Sequence, residues 1–251
     1  MTIDYPLYGN PCVLEIDMWS EGKKNLTLTV EDADVQDTML THRGCVFSGD
    51  KTYLVRLPIC PDIAKITLVD DSGAKSGFGI DDIQVRDIPV DYSNGNFNKD
   101  EVQSFINFSE EFSYNAGAIP SGAEYKSDDG VFTIKYLDNI ISNGEVVATP
   151  ARISQNDGLI EVSKNDFLRY TVPMRMAILL HEFAHFYLND VMEDEIEADK
   201  NSLELYLGMG YPRIDAYNVY LDVFENSPSE LNKDRYNQLN KFFNVNYKQN
   251  A

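Results

Sequence analysis

The segment from Met174 to Leu188 constrains the fold of this 251-residue chain more than any other. It is rich in good helix formers, and Pro173 is well placed for a first turn. Met176, Ala177, Ile178, Leu179, Leu180, Phe183, Ala184, Phe186 and Leu188 make it apolar on most sides. A helix apolar nearly all round belongs in a core. Yet this one also carries His181, Glu182 and His185. Buried histidines and a buried carboxylate need partners, and a metal ion is an economical one.

The pattern is H-E-x-x-H, and it uses two of the chain's three histidines. Residues four apart on a helix differ by about 40°, so both imidazoles lie on one face and can hold one ion. Glu182 points about 100° away from His181, which suits a general base acting on metal-bound water better than a ligand. A catalytic zinc site wants three protein ligands and one open position. The third should come from a second helix, and the stretch from Met192 to Leu207, ending before Gly208, supplies one. Helical phase selects among its acids. With Glu195 at zero, Asp199, Leu203, Tyr206 and Met192 fall within about 80°. Glu193 and Glu197 fall on the opposite side, and Asp194 lies to one flank. Glu195 is therefore the expected third ligand, and Asp199 the carboxylate that accepts the free N–H of a ligating histidine.

His181-Glu182-x-x-His185 followed by Glu195-Ile-Glu-Ala-Asp199 resembles the gluzincin branch of zinc metallopeptidases. It is most similar to families with a Glu-x-x-Ala-Asp third-ligand motif, among them the repressor-cleaving peptidases of mobile elements and phages. The resemblance runs from about residue 158 to 207, a fifth of the chain. It implies zinc on His181, His185 and Glu195, Glu182 as base, and Asp199 orienting a histidine. It also implies an edge strand before the active helix on which peptide substrate lies, and Gly158 to Val162 fits that place. The chain departs from the pattern in two ways. Only nine residues separate His185 from Glu195, leaving one tight turn around Asn189-Asp190-Val191. No histidine follows His185, so the downstream histidine that many relatives use on the oxyanion is missing. Tyr187, Tyr206, Tyr211, Tyr217 and Arg213 are the candidate substitutes.

Upstream, residues 1 to about 90 read as all-β. Val13–Met18, Asn25–Val30, Thr52–Leu57 and Lys65–Val69 alternate apolar with polar, and Gly77–Ile80 and Asp82–Arg86 add one or two strands. Short strands at this spacing suggest a small β-sandwich or barrel, and a β-sandwich ahead of a peptidase domain is expected to dock to a partner, a substrate or copies of itself. His42 and Arg43 read as an ordinary surface pair in a loop. Residues 91–100 are turn-rich and read as a linker. Residues 101–251 then form the metallopeptidase-like domain. In it come a helix over Glu101–Phe112, strands at Val131–Tyr136, Glu145–Ala148 and Leu159–Val162, and the two metal-site helices. Two C-terminal helices complete it, Tyr211–Glu225 and Ser229–Phe243. Ile214, Tyr217, Tyr220 and Leu221 stripe the first, and Leu231, Tyr236, Leu239, Phe242 and Phe243 the second. The fold class is α+β.

A net charge of −20 repels phosphate backbones and anionic membrane surfaces, which argues against direct nucleic-acid or membrane binding. No stretch is long enough to span a bilayer, and the start lacks the basic and apolar regions of a secretory signal. Three widely spaced cysteines, Cys12, Cys45 and Cys60, read as reduced thiols in a cytoplasmic or virion protein, with a Cys12–Cys60 bridge as the alternative. The expected function is a zinc-dependent endopeptidase acting on protein or peptide. The alternative is a structural virion component, such as a phage neck or tail ring or adaptor, with a metallopeptidase-like fold and little activity. A regulator that cleaves one repressor ranks below both, since no DNA-binding helix pair accompanies the motif.

Overall fold

The alternating segments of the first ninety residues become, in the computed structural model, a single antiparallel sheet. The structure describes residues 1–226 and 228–246. Five strands make the sheet: β1 (Thr2–Pro6), β2 (Cys12–Asp32), β3 (Met39–Leu57), β4 (Ile63–Asp70) and β5 (Phe78–Asp87). Two of the expected strands are one. The polar Glu21-Gly22-Lys23-Lys24 stretch, which looks like a turn, is a register shift within β2 between Ser20 and Lys24, with Gly22 at φ +74°. Such a bulge adds local twist without ending the strand. The first half of β2 pairs with β5 and its second half with β4, while β3 runs along both. Leu14, Ile16, Met18, Leu26, Leu28 and Val30 share one buried face, the period-2 alternation carried through the bulge. His42 and Arg43 therefore stand in β3 and not in a loop. Cys12 and Cys60 are thiols with their sulfurs 3.9 Å apart, and no bridge joins them.

Residues 91–100 pack against the C-terminal part of the chain. Asp91 N donates to Gly208 O at 2.7 Å, and a short 3-10 turn buries Phe97. Next come α1 (Asp100–Asn115), β6 (Ala123–Lys126), β7 (Thr133–Leu137), a two-residue hairpin of β8 (Ile141–Ser142) and β9 (Glu145–Val146), β10 (Ala151–Ile153), β11 (Ile160–Ser163) and α2 (Lys164–Phe167). The chain closes with α3 (Val172–Tyr187), α4 (Glu195–Gly208), α5 (Arg213–Asn226) and α6 (Glu230–Asn246). The architecture is thus mixed α+β. The second sheet has the order β10-β11-β7-β6, with β10 antiparallel to β11 and β11 parallel to β7. β11, the segment expected at an edge, is flanked on both sides. The edges are β6 and β10, and β10 is a three-residue strand too short to show alternation.

α3 lies at the centre, as its apolar perimeter requires. Phe183 stacks on Phe105 of α1 with ring centroids 4.2 Å apart, and Val172 at its start enters the core of the first sheet. Arg175, 1% exposed, ties the parts together: Nη1 donates to Ser113 O and Nη2 to Asp37 O, each at 3.0 Å. A second tie runs from Arg43 Nη2 to buried Asp215 Oδ2 on α5, 3.0 Å away. Among the described residues no helix is long and apolar enough to cross a membrane.

Candidate metal centre

Thr171 caps α3, its hydroxyl accepting from Met174 N, and Pro173 occupies the first turn, where its missing N–H costs nothing. The helix ends at Tyr187, and Asn189 begins the reversal. Asn189 N donates to Ala184 O at 2.9 Å, and its side-chain amide donates to Asp194 O at 2.8 Å. Asp194 then caps α4, accepting from the amides of Ile196 and Glu197 at 3.0 Å each. Glu197, facing away from the site, accepts from Asp190 N at 3.2 Å and braces the same turn. The short connection thus places Glu195 on the first residue of α4, directly across from the histidines.

His181 Nε2 and His185 Nε2 are 3.1 Å apart, and Glu195 Oε2 lies 3.3 Å from the first and 3.6 Å from the second. Among the described residues this is the one cluster of three such donor atoms, and it could hold a metal ion. Bonds of about 2.0–2.2 Å in a tetrahedral site imply donor–donor edges of about 3.3–3.6 Å; both edges to Glu195 match, and the edge between the histidines, at 3.1 Å, is slightly short. The outer side of each ring is also engaged. His185 Nδ1 donates to Met192 O at 2.7 Å, which fixes the tautomer that leaves Nε2 as an acceptor. His181 Nδ1 lies 3.1 Å from Asp199 Oδ1, an ion contact whose angle falls short of an aligned hydrogen bond.

Charge in the site is unbalanced in a way that favours a cation. Burial works against a protonated His181, but Asp199 and Glu195 outweigh it and raise its pKa to about 10. Burial likewise opposes ionisation of Glu195, yet the two imidazoles and Arg235 hold its carboxyl well below the usual range. Glu182 is shifted the other way. Its burial raises the pKa, and the neighbouring histidines and the Ile153 amide only partly offset this. A carboxyl raised in a cleft is a group suited to proton transfer.

The cluster opens on a cleft of ≈ 370 Å³. Glu182, β10 and the nearby Gln155 line it, with Ile178 of α3 and Val219, Tyr220 and Val223 of α5. None of the five side chains considered for the oxyanion lines this cleft. The hydroxyls of Tyr206, Tyr211 and Tyr217 bond to Pro212 O, Glu110 and Asn240, and the Tyr187 ring stacks on Phe183. Arg213 lies over the Phe243 ring. Two other residues do reach the cleft. Tyr220, part of the apolar stripe of α5 and buried in the core, has its ring 6.1 Å from that of His181 and its hydroxyl 3.0 Å from Ser202 Oγ. Arg235 reaches in from α6, with Nη1 3.0 Å from Glu195 Oε2. The signal for it was present: Arg235, Leu239 and Phe243 recur every four residues, placing one arginine on a buried apolar face.

No protein-family model, curated protein or solved structure matches this chain.

Proposed function

We propose that the chain is a zinc-dependent endopeptidase of gluzincin type. The observation that carries this reading is the convergence of His181, His185 and Glu195 beside a cleft whose wall holds a half-buried carboxylate, Glu182. Two nitrogens and one carboxylate oxygen are the donor set of catalytic zinc, which when bound supplies Lewis acidity and brings the pKa of its water toward neutrality. Glu182 accepts the proton of the attacking water and returns it to the leaving amine. The Met192 carbonyl holds the His185 ring by a hydrogen bond, and the Asp199 carboxylate faces His181 Nδ1 at 3.1 Å. β10 is an edge strand on the cleft, so an extended peptide can add to it through main-chain hydrogen bonds, with side chains against Ile178, Val219 and Val223. Tyr220 and Thr149 are the hydroxyl-bearing side chains in the cleft lining.

The test combines metal content with turnover. Protein purified without added metal should contain one zinc per chain, and His181→Ala should lose it. Glu182→Gln should keep the zinc and lose cleavage of casein or a peptide library. A Glu182→Gln protein that cleaves like the wild type sinks the mechanism. Stoichiometric zinc without any cleavage by the wild type favours a virion assembly part instead.

A further inference from the structure

We propose that Arg235 is a positioning residue of the metal centre: one guanidinium from the last helix sets both the third ligand and the carboxylate behind His181. This inference rests on the metal site proposed above. Arg235 Nε donates to Asp199 Oδ2 at 2.8 Å and Nη2 donates to Asp199 Oδ1 at 2.7 Å, a planar fork on a planar carboxylate. Its remaining nitrogen, Nη1, lies 3.0 Å from Glu195 Oε2 and 3.3 Å from Asn232 Oδ1. Each contact bears on the site. Asp199 Oδ1, held by Nη2, is the oxygen that faces His181 Nδ1. Glu195 Oε2, held by Nη1, is the oxygen of the ligand triangle. Arg235 therefore selects which oxygen of Glu195 faces the histidines, and it locks the carboxylate that orients His181.

Stability alone does not explain this arrangement. A buried ion pair recovers its desolvation cost poorly, and an apolar side chain of the same volume often does as well or better. Arg235 is 7% exposed and Asp199 5%, and the guanidinium carbon lies over the Phe224 ring, 5.2 Å from its centroid. A methionine would supply an apolar side chain of similar length. What it lacks is the fork, the one feature that fixes two carboxylates at once. α6 has its N-terminal half over the metal site, and Leu239 and Phe243 further along it anchor the helix in the core.

The experiment measures zinc affinity, by competition with a chromophoric chelator, in metal-free wild type, Arg235→Met, Arg235→Lys and Leu239→Ala. Thermal unfolding of each metal-free protein and the visible absorption of the cobalt-substituted forms are recorded alongside. Loss of a group that orients ligands typically weakens metal binding by about 10–100-fold, and Arg235→Met should fall in that range with an altered cobalt band. Arg235→Lys, which keeps the charge and loses the fork, should recover only part of the affinity, and it serves if the methionine variant does not fold. Leu239→Ala should lower unfolding temperature and leave affinity unchanged. Zinc binding as tight as wild type in both arginine variants overturns the inference, as does an equal loss in Leu239→Ala, since Arg235 would then act only by docking α6. A wild type that takes up no zinc overturns the metal site itself and this inference with it.

Discussion

Replacing Asp215 with Asn should flatten the pH dependence of stability on the acidic side of neutrality. Asp215 lies on α5, the helix that brings Val219, Tyr220 and Val223 to the cleft, and it is only 2% exposed. Burial pushes its carboxyl from 3.8 up to about 6, and Arg43 of β3, 3.0 Å away, offsets only part of that. Tyr206 of α4 also faces it, with its hydroxyl pushed well above the ordinary tyrosine range. Between those two values the folded chain binds more protons than the unfolded one. The stability contributed by Asp215 is therefore complete below about pH 4 and is lost as the pH rises through about 6. A displacement of about two pKa units corresponds to about 3 kcal/mol. The assay is urea unfolding of wild type and Asp215→Asn at intervals from about pH 4 to 7.5. The difference between the two proteins cancels the carboxylates they share. Acidification should favour the wild type over the variant by about 3 kcal/mol across that range. Two parallel curves, or a gap that closes in the opposite sense, would refute the claim that burial outweighs Arg43 at the seam between the first sheet and α5.

Two further substitutions probe the supports of the site. Asp194→Ala removes both capping bonds of α4 and should cost about 1 kcal/mol in stability. Because Glu195 is the next residue, zinc titration of the same variant should show weaker binding; unchanged affinity would mean the cap does not help set the ligand. Phe105→Ala empties a fully buried position stacked on Phe183 and edge-on to Phe132, and should cost about 3–5 kcal/mol by urea unfolding. A loss below about 1 kcal/mol would show that α1 is not the wall that fixes α3.

Much of the site was legible because helix geometry is local. Four residues bring His181 and His185 to one face whatever surrounds them. The same periodicity put Glu195 and Asp199 on one side of α4 and Glu197 on the other. The strands of the first ninety residues were legible for a similar reason, as alternation survives burial of one face. Local patterns failed where a polar stretch had two structural uses. Glu21 to Lys24 has the composition of a turn, but pairing with β3 on both sides makes it a bulge. The last two helices failed differently. Apolar side chains suggested one stripe on α6; Leu239 and Phe243 are buried, yet Leu231 is 50% exposed and Tyr236 38%, while Asn232 and Arg235 face inward. Counting apolar residues cannot find a helix face whose purpose is to deliver charge.

The amino-acid order alone settles that one apolar helix must carry two imidazoles and a carboxylate, and which acid of its neighbour can turn toward them. That is a consequence of backbone periodicity, which each segment obeys by itself. What only packing decides is the far side of the centre. β10 rather than β11 is the edge beside the cleft, Val219, Tyr220 and Val223 are the residues of α5 that line it, and Arg235, fifty residues from His185, closes over two carboxylates. Such contacts depend on the relative placement of whole elements, and that placement is set by how their apolar faces fill a common volume rather than by any spacing along the chain.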